Sequence, residues 1–157
     1  MENQDVQLVQ LAPMRVAYAL GYGPQPEFLA WQKLLAWAKE VDLDIKAQRF
    51  FGYNNPSPAP GSPNYGYEQW MTVGPEVKPG GEVQIKDFPG GLYLVRRCQG
   101  PQNIPQTWQE LTLWFEHSPY QRAHHQWLEE CLSADLVGLA DIPWEKTVFD
   151  LYLPVAK

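Results

Sequence analysis

Residues 65–70 read Tyr-Gly-Tyr-Glu-Gln-Trp, and the rest of the chain is interpreted outward from this stretch. In a β-strand successive side chains alternate, so Glu68 and Trp70 share one face while Tyr67 points to the other. A carboxylate among aromatic rings is costly unless it is paired, neutralised or bound to a cation. The pattern therefore favours two interpretations: a small-molecule pocket that contains an acid, or an edge strand with a solvated acid.

A related pattern closes the chain, where residues 149–152 read Phe-Asp-Leu-Tyr. With a shift of 77 positions, Trp31 and Trp37 of the first half align with Trp108 and Trp114 of the second. The two halves therefore read as repeats, the first at about 5–75 and the second at about 82–156. Together they are long enough for one domain over 1–157.

The first half reads as a β-α-β-β unit. An extended segment at 6–20 is broken near Pro13, a turn occupies 21–24, and apolar residues at helical spacing predict a helix that begins at Pro26. The remaining elements are a short strand at 49–53, a proline-rich loop at 54–64 and a strand at 65–73.

The second half has extra residues before its last strands. A Ser-Pro-Tyr-Gln start at 118–121 and an apolar stripe predict an added helix over 119–132, and Gly138 is the counterpart of Gly52. The expected fold is α+β. Two β-α-β-β repeats related by a pseudo-twofold axis form a mainly antiparallel sheet with helices packed on it, and a ligand cleft lies between the halves.

Composition excludes several classes of protein. A hydrophobic fraction of 45% and seven tryptophans exclude a disordered chain, and a net charge of −6 argues against a nucleic-acid partner. Cys98 and Cys131 lie far apart with no metal-ligand spacing. We expect no cofactor, no metal and no membrane segment, and the absence of a leader pattern predicts a cytoplasmic location.

Five motifs in a fixed order resemble the GyrI-like family of effector-binding domains. They are Pro-Gly-Gly-Leu-Tyr at 89–93, the Gly-Pro-Gln turns, the Trp-Gln-x-Leu-x-x-Trp helices, Tyr-Gly-Tyr-Glu at 65–68 and Phe-Asp-Leu-Tyr-Leu at 149–153. The resemblance covers nearly the whole chain. It implies ligands held between two halves among aromatic rings, beside an acid. No helix-turn-helix pattern precedes the first strand, so we expect a stand-alone member.

By motif, the family's ligand-binding positions match Glu68, Tyr93 and, more loosely, Trp31. Asp150 stands where many members have Glu, and Gly138 lies close to where some multidrug sensors have their key acid. The residues themselves add Trp70 as a cation partner, Trp108 as a pocket wall and Tyr67 as a hydroxyl donor. We interpret Trp37 and Trp114 as core residues. The predicted ligand-binding set is Glu68, Trp70, Tyr67, Trp31, Tyr93, Trp108, Asp150 and Tyr152.

The resemblance, taken together with these residues, implies three alternative functions. The first is polyspecific binding of planar, lipophilic, often cationic small molecules, for sequestration or sensing. The second is a hydrolase that opens cyclopropane-bearing or similar reactive aromatic toxins, with Glu68 as an acid or base or as the residue that positions a water, and the protonation state of Glu68 stays open. The third is a protein-interaction role such as inhibition of a topoisomerase. The oligomeric state stays open.

Overall fold

Residues 6–132 and 144–157 are described in the computed structural model of the chain. They belong to two compact units, a central unit, Met14–Phe88, and a terminal unit, Met1–Pro13 with Pro89–Lys157. The strands are β1 (Val6–Leu11), β2 (Met14–Gly23), β3 (Phe50–Asn54), β4 (Tyr65–Thr72), β5 (Gln84–Phe88), β6 (Gly91–Gln99), β7 (Gln121–Arg122), β8 (Leu128–Cys131) and β9 (Val148–Ala156). The helices are α1 (Pro26–Glu40) and α2 (Ile104–Glu116), with short 3₁₀ turns at Ile45–Ala47, Pro101–Asn103 and Trp144–Lys146.

In the central unit the strand order is β3-β4-β2-β5, and each pairing is antiparallel. Helix α1 packs on β2 and β4. Its first position is Pro26, whose fixed φ suits a helix start, as the sequence predicts. The helix approaches β2 closely at Gly21, where an added Cβ would lie 2.3 Å from the Pro26 carbonyl oxygen. A side chain at this position would push helix and strand apart.

In the terminal unit the order is β1-β6-β9-β8, again antiparallel, and β7 also pairs with β9. Helix α2 packs on β6 and β9. It buries Thr107, Leu111 and Phe115, which recur every four residues and therefore form one stripe along the helix. The prediction of an α+β fold with antiparallel strands and helices packed on them is confirmed. The extended segment before each helix is divided into two strands, β1 and β2 before α1 and β5 and β6 before α2.

Each unit takes one strand from the other half of the sequence. Strand β1 opens the first sequence repeat but pairs with β6 in the terminal unit, while β5 opens the second repeat but pairs with β2. The compact units are therefore offset from the sequence repeats by one strand. The assignment of 1–157 to one domain and the cleft between the halves stay predictions.

The added helix predicted over 119–132 is wrong, because this stretch contains β7 and β8. Ser118 closes α2 by donating from Oγ to the Phe115 carbonyl oxygen at 2.7 Å. Leu128 is then fully buried opposite Tyr152 of β9. Pairing with β9 gives backbone partners to Gln121, Arg122 and Leu128–Cys131, and this tertiary context outweighs the helical spacing.

The turn predicted at 21–24 is wrong at its first three positions, because β2 continues to Gly23 and pairs with Tyr65. Gly138 lies outside the described residues. In the part of the chain that the structure describes, neither helix has the length and apolar character needed to cross a membrane.

Candidate functional site

In each unit the strands have a helix face, which the helix of that unit covers, and a far face turned away from that helix. In the central unit the register pairs Tyr18 with Trp70 and Tyr53 with Glu68, so these side chains lie on the same face. The side chain of Phe50 points to the opposite face of the strands and contacts Trp31 of α1. Phe50 therefore lies on the helix face, and the set with Tyr53 and Glu68 lies on the far face. We call this group the central cluster; it consists of Tyr18, Tyr53, Glu68, Trp70, Lys86 and Phe88.

Glu68 is the buried acid of the central cluster, with only 3% of its surface exposed. Its Oε2 accepts a hydrogen bond from Trp70 Nε1 at 2.6 Å, and its Oε1 accepts one from Asn55 Nδ2 at 3.1 Å. The Tyr53 hydroxyl and the Lys86 ammonium also donate to this carboxylate. The predicted shared face of Glu68 and Trp70 is therefore confirmed, and the acid is paired rather than solvated.

Lys86 supplies the positive charge of the cluster, and sequence reasoning did not single it out. Its Nζ lies 4.3 Å from the ring centroid of Tyr18, 5.0 Å from that of Trp70 and 5.9 Å from that of Tyr53. Nζ also donates to the Tyr53 hydroxyl oxygen at 3.3 Å. A cation near several ring faces and one carboxylate is the arrangement that aromatic cages use to bind ammonium groups.

The groups around Glu68 set its ionisation, which the sequence leaves open. Burial alone would raise the pKa of Glu68, but hydrogen bonds from Lys86, Trp70 and Tyr53 outweigh it and hold the pKa below its ordinary value. The raised pKa on which an acid role in a hydrolase depends is therefore not found, and Glu68 is a carboxylate at neutral pH. Burial, together with the neighbouring Glu68 carboxylate, raises the pKa of Tyr53, so its hydroxyl stays protonated.

The terminal unit has its own far-face group, the terminal cluster, made of Tyr93, Arg97, Glu130, Asp150 and Tyr152. Asp150 Oδ1 accepts a hydrogen bond from Arg97 Nε at 2.7 Å, and this bond holds the pKa of Arg97 above its ordinary value. Tyr152 donates to Glu130 Oε1 at 2.6 Å, and its ring meets that of Tyr93 edge-on at 5.4 Å. Asp150 therefore forms an ion pair with Arg97.

The Tyr93 hydroxyl donates to the Gln126 carbonyl oxygen, and burial raises the pKa of Tyr93. The ring of His125 lies edge-on to Tyr93, with centroids 4.8 Å apart. His124 and His125 lie in the segment before β8, within the stretch predicted as the added helix. His125 contributes Nε2 to a 2.8 Å hydrogen bond with the Leu92 carbonyl oxygen.

Three residues of the predicted ligand-binding set lie on the helix faces. Trp31 packs on Phe50 with ring centroids 5.1 Å apart, and Tyr67 fills the space beside Gly52. Trp108 donates from Nε1 to Glu129 Oε2 at 3.2 Å, on the face of β8 opposite Glu130. The structure thus brings Glu68 together with Trp70, and Tyr93 with Tyr152, but it does not bring Trp31, Tyr67 or Trp108 to these clusters.

The tryptophans predicted as core residues differ from each other. Trp37 is buried, with Gly80 at its indole, as expected. Trp114 is only half-buried, because it lines an open groove beside the end of α2, so its interpretation as a core residue is wrong. The groove is lined by Arg96, Glu110, Leu113, Trp114, His117, Ser118 and Pro119. Residues of the predicted ligand-binding set do not line it.

Sequence reasoning missed Tyr18, Tyr53, Lys86 and Glu130. Tyr18 and Tyr53 lie on strands that the sequence predicts, and the alternation of those strands was the available signal. Glu130 was missed because its stretch was predicted to be helical, so strand alternation was not applied to it. Lys86 had no signal, since its partner becomes apparent only when the pairing of β5 with β2 is known.

Fold and clusters together define a ligand-binding α+β domain, with rings and charged groups gathered on the far faces of its two units. The sequence profile of the GyrI-like small molecule binding domain matches residues 4–156. The chain therefore belongs to this family, and it is a small-molecule-binding domain. The resemblance read from the motifs is confirmed.

Solved structures with the same fold include three of particular interest. The chain matches EcmrR in a DNA complex with a TM-score of 0.70 and 16% identity, over 97% of this chain and 57% of that one. It matches a hydrolase from Listeria innocua with a TM-score of 0.68 and 14% identity, over 99% and 94%. It matches SAV2435 bound to tetraphenylphosphonium with a TM-score of 0.58 and 16% identity, over 99% and 94%.

At these identities the likeness shows the fold alone. The chain spans 57% of the length of the EcmrR chain, whose structure is a DNA complex, so the expected absence of a nucleic-acid partner stays a prediction. A comparison with curated protein sequences gives no significant match.

Proposed function

We propose that the central cluster binds planar, lipophilic, cationic small molecules, with Glu68 as the counter-charge. The observation that carries the proposal is the position of the Lys86 ammonium, which lies among three aromatic rings and against a buried carboxylate. The site therefore already accommodates one positive charge. A ligand cation needs the same surroundings, because ring faces and a desolvated carboxylate both favour it.

Two further observations support this choice of ligand. The family is one of small-molecule-binding domains, and SAV2435, which shares the fold, is bound to a lipophilic cation. The chain itself has a formal charge of −6, and a negative field modestly favours cations over anions. Binding of several unrelated cations would follow from ring stacking, which selects flatness and charge rather than one pattern of hydrogen bonds.

Titration with a planar cationic dye, a rhodamine, and with tetraphenylphosphonium, whose four phenyl rings surround its charge tetrahedrally, tests the proposal by calorimetry. Glu68→Gln keeps the shape of the side chain but removes its charge, and we expect binding to weaken about tenfold or more. Asp150→Asn is the matched control, because it neutralises the repeat-related acid of the terminal unit, and we expect a change below about threefold. Equal binding by wild type and Glu68→Gln would refute the site.

The hydrolase alternative draws on the same residues. Because the pKa of Glu68 is lowered, this residue would act as a base that orients water and not as a proton donor. Incubation with a cyclopropane-bearing aromatic alkylator, followed by mass spectrometry, tests it. A ring-opened product that disappears in Glu68→Gln would support the hydrolase, and the absence of product over many hours would leave binding alone.

A further inference from the structure

Lys86 takes an unusual path for a lysine on an edge strand. Strand β5 is the last strand in the order of the central unit, and β2 lies between it and β4, which carries Glu68. The Lys86 side chain nevertheless extends over the ring of Tyr18 and reaches the carboxylate two strands away. Ordering a long lysine chain costs conformational entropy, so strong contacts at its end must compensate for that cost.

Lys33 provides an internal comparison. The side chains of Lys86 and Lys33 are equally exposed, at 34%, and both form ion pairs within the central unit. Lys33 pairs at 3.1 Å with Glu82, whose side chain is 72% exposed, whereas Lys86 pairs with Glu68, whose side chain is 4% exposed. Lys33 therefore makes an ordinary surface contact, while Lys86 holds its charge inside an aromatic site.

From these contacts we propose that Lys86 is a built-in competitor, whose ammonium occupies the cation position of the central cluster until a ligand cation displaces it. The inference rests on the proposed function and adds how the site selects its ligands. A ligand cation must outcompete an intramolecular ammonium for Glu68 and the rings of Tyr18 and Trp70. Weakly cationic or poorly stacking compounds are thereby rejected, and the site is never left with an unpaired buried carboxylate.

Competition of this kind lowers the apparent affinity by the fraction of molecules whose site is vacant. If Lys86 leaves the cluster for about a tenth of the time or less, its removal strengthens binding about tenfold or more. Lys86→Met keeps the length of the side chain but removes its charge. We therefore expect Lys86→Met to bind tetraphenylphosphonium about tenfold more tightly than wild type, in calorimetry at about pH 8, where Glu68 is ionised.

Lys33→Met is the matched control, with equal side-chain exposure and an ion pair outside the cluster. We expect it to bind tetraphenylphosphonium as wild type does. The isosteric anion tetraphenylborate gives a second control. An increase in affinity of Lys86→Met that depends on the Glu68 carboxylate should be seen with the cation and not with this anion. Circular dichroism checks that each variant is folded.

A second measurement needs no variant. Acetylation of wild-type lysines by an N-hydroxysuccinimide ester, read by peptide mass spectrometry, reports how accessible each amine is. We expect Lys86 to be acetylated more slowly than the exposed Lys78 in the free protein, and several-fold faster after tetraphenylphosphonium is added. If Lys86→Met does not fold, the acetylation experiment alone tests whether Lys86 is displaced by the ligand.

The outcomes separate the two proposals. Tighter binding by Lys86→Met, with faster acetylation of Lys86, supports the competitor, including the case in which wild type binds too weakly to measure. A second outcome overturns the competitor and keeps the binding site. In it, wild type binds in a way that depends on Glu68, Lys86→Met binds equally or more weakly, and the ligand leaves the acetylation of Lys86 unchanged or makes it slower. No binding by wild type or by folded Lys86→Met overturns both.

Discussion

The two repeat-related acids, Glu68 and Asp150, occupy comparable strands but have opposite surroundings. Glu68 is buried, receives four donors and pairs with a lysine from two strands away. Asp150 pairs with Arg97, directly opposite on the neighbouring strand, and the Arg97 side chain is 59% exposed. The comparison teaches that a duplicated pattern preserves the position of an acid while its partners decide whether it forms a site or a surface ion pair.

The largest contrast concerns stability. Glu68→Ala leaves Lys86, Trp70 and Asn55 without their common acceptor, so we expect the free energy of unfolding to fall by about 2–4 kcal/mol. Asp150→Ala breaks a pair whose arginine is largely solvated, and we expect a loss below about 1 kcal/mol. Urea denaturation of both variants measures the difference. Equal losses would show that the two acids are energetically alike.

The indole hydrogen bonds of the two units give a smaller contrast. Trp70 donates to the buried Glu68 at 2.6 Å, whereas Trp108 donates to Glu129 at 3.2 Å in a half-buried position. A hydrogen bond to a charged group contributes about 1.5–3 kcal/mol, so Trp70→Phe should lose that much and Trp108→Phe less than about 1 kcal/mol. Trp70→Phe also removes more buried ring area, because Trp70 is 2% exposed and Trp108 is half-buried, so urea unfolding measures the sum of the two losses.

A pH dependence follows from the lowered pKa of Glu68. An unfolded glutamate titrates near about 4.3, and the folded value lies lower, so Glu68 stabilises the fold above about pH 5. This stabilisation is lost as the pH falls through the folded pKa. The loss of stability between about pH 5 and pH 3 should therefore be shallower in Glu68→Gln than in wild type. Glu82→Gln serves as an exposed control in urea titrations at each pH.

The smallest expected effect concerns Trp31, which the sequence suggested as a pocket wall. Because Trp31 packs on Phe50 on the helix face, Trp31→Phe should change the affinity for tetraphenylphosphonium by less than about twofold. Trp70→Phe, on the far face, should weaken binding more. A tenfold loss in Trp31→Phe, with the fold intact by circular dichroism, would move the binding site to the helix face.

Much of the fold could be predicted from the sequence, because its signals are local. Pro13 separates β1 from β2, Pro26 starts α1, and alternation in 65–72 defines β4. The added helix failed because the apolar spacing of 120–131 is short and ambiguous, and pairing of β8 with β9 decides it. The exchange of β1 and β5 between the units has no local signal, since the sequence repeat suggests the opposite assignment.

The candidate site was predictable only in part, for the same reason. Alternation placed Glu68 beside Trp70, and this neighbourhood is confirmed. The register of four strands then adds Tyr18, Tyr53 and Lys86, which one strand's pattern cannot indicate. The lowered pKa of Glu68 depends on hydrogen bonds from Lys86, Trp70 and Tyr53, so the aromatic rings alone could not decide its direction.

Tetraphenylarsonium offers the most direct test of the central claim, because its arsenic atom can be located by anomalous X-ray scattering in a crystal of the complex. The account predicts one arsenic peak at the central cluster, within about 6 Å of the rings of Tyr18 or Trp70, with the Lys86 ammonium moved away from Glu68. An arsenic peak only in the groove beside α2, or at the terminal cluster, with Lys86 still bound to Glu68, would contradict it.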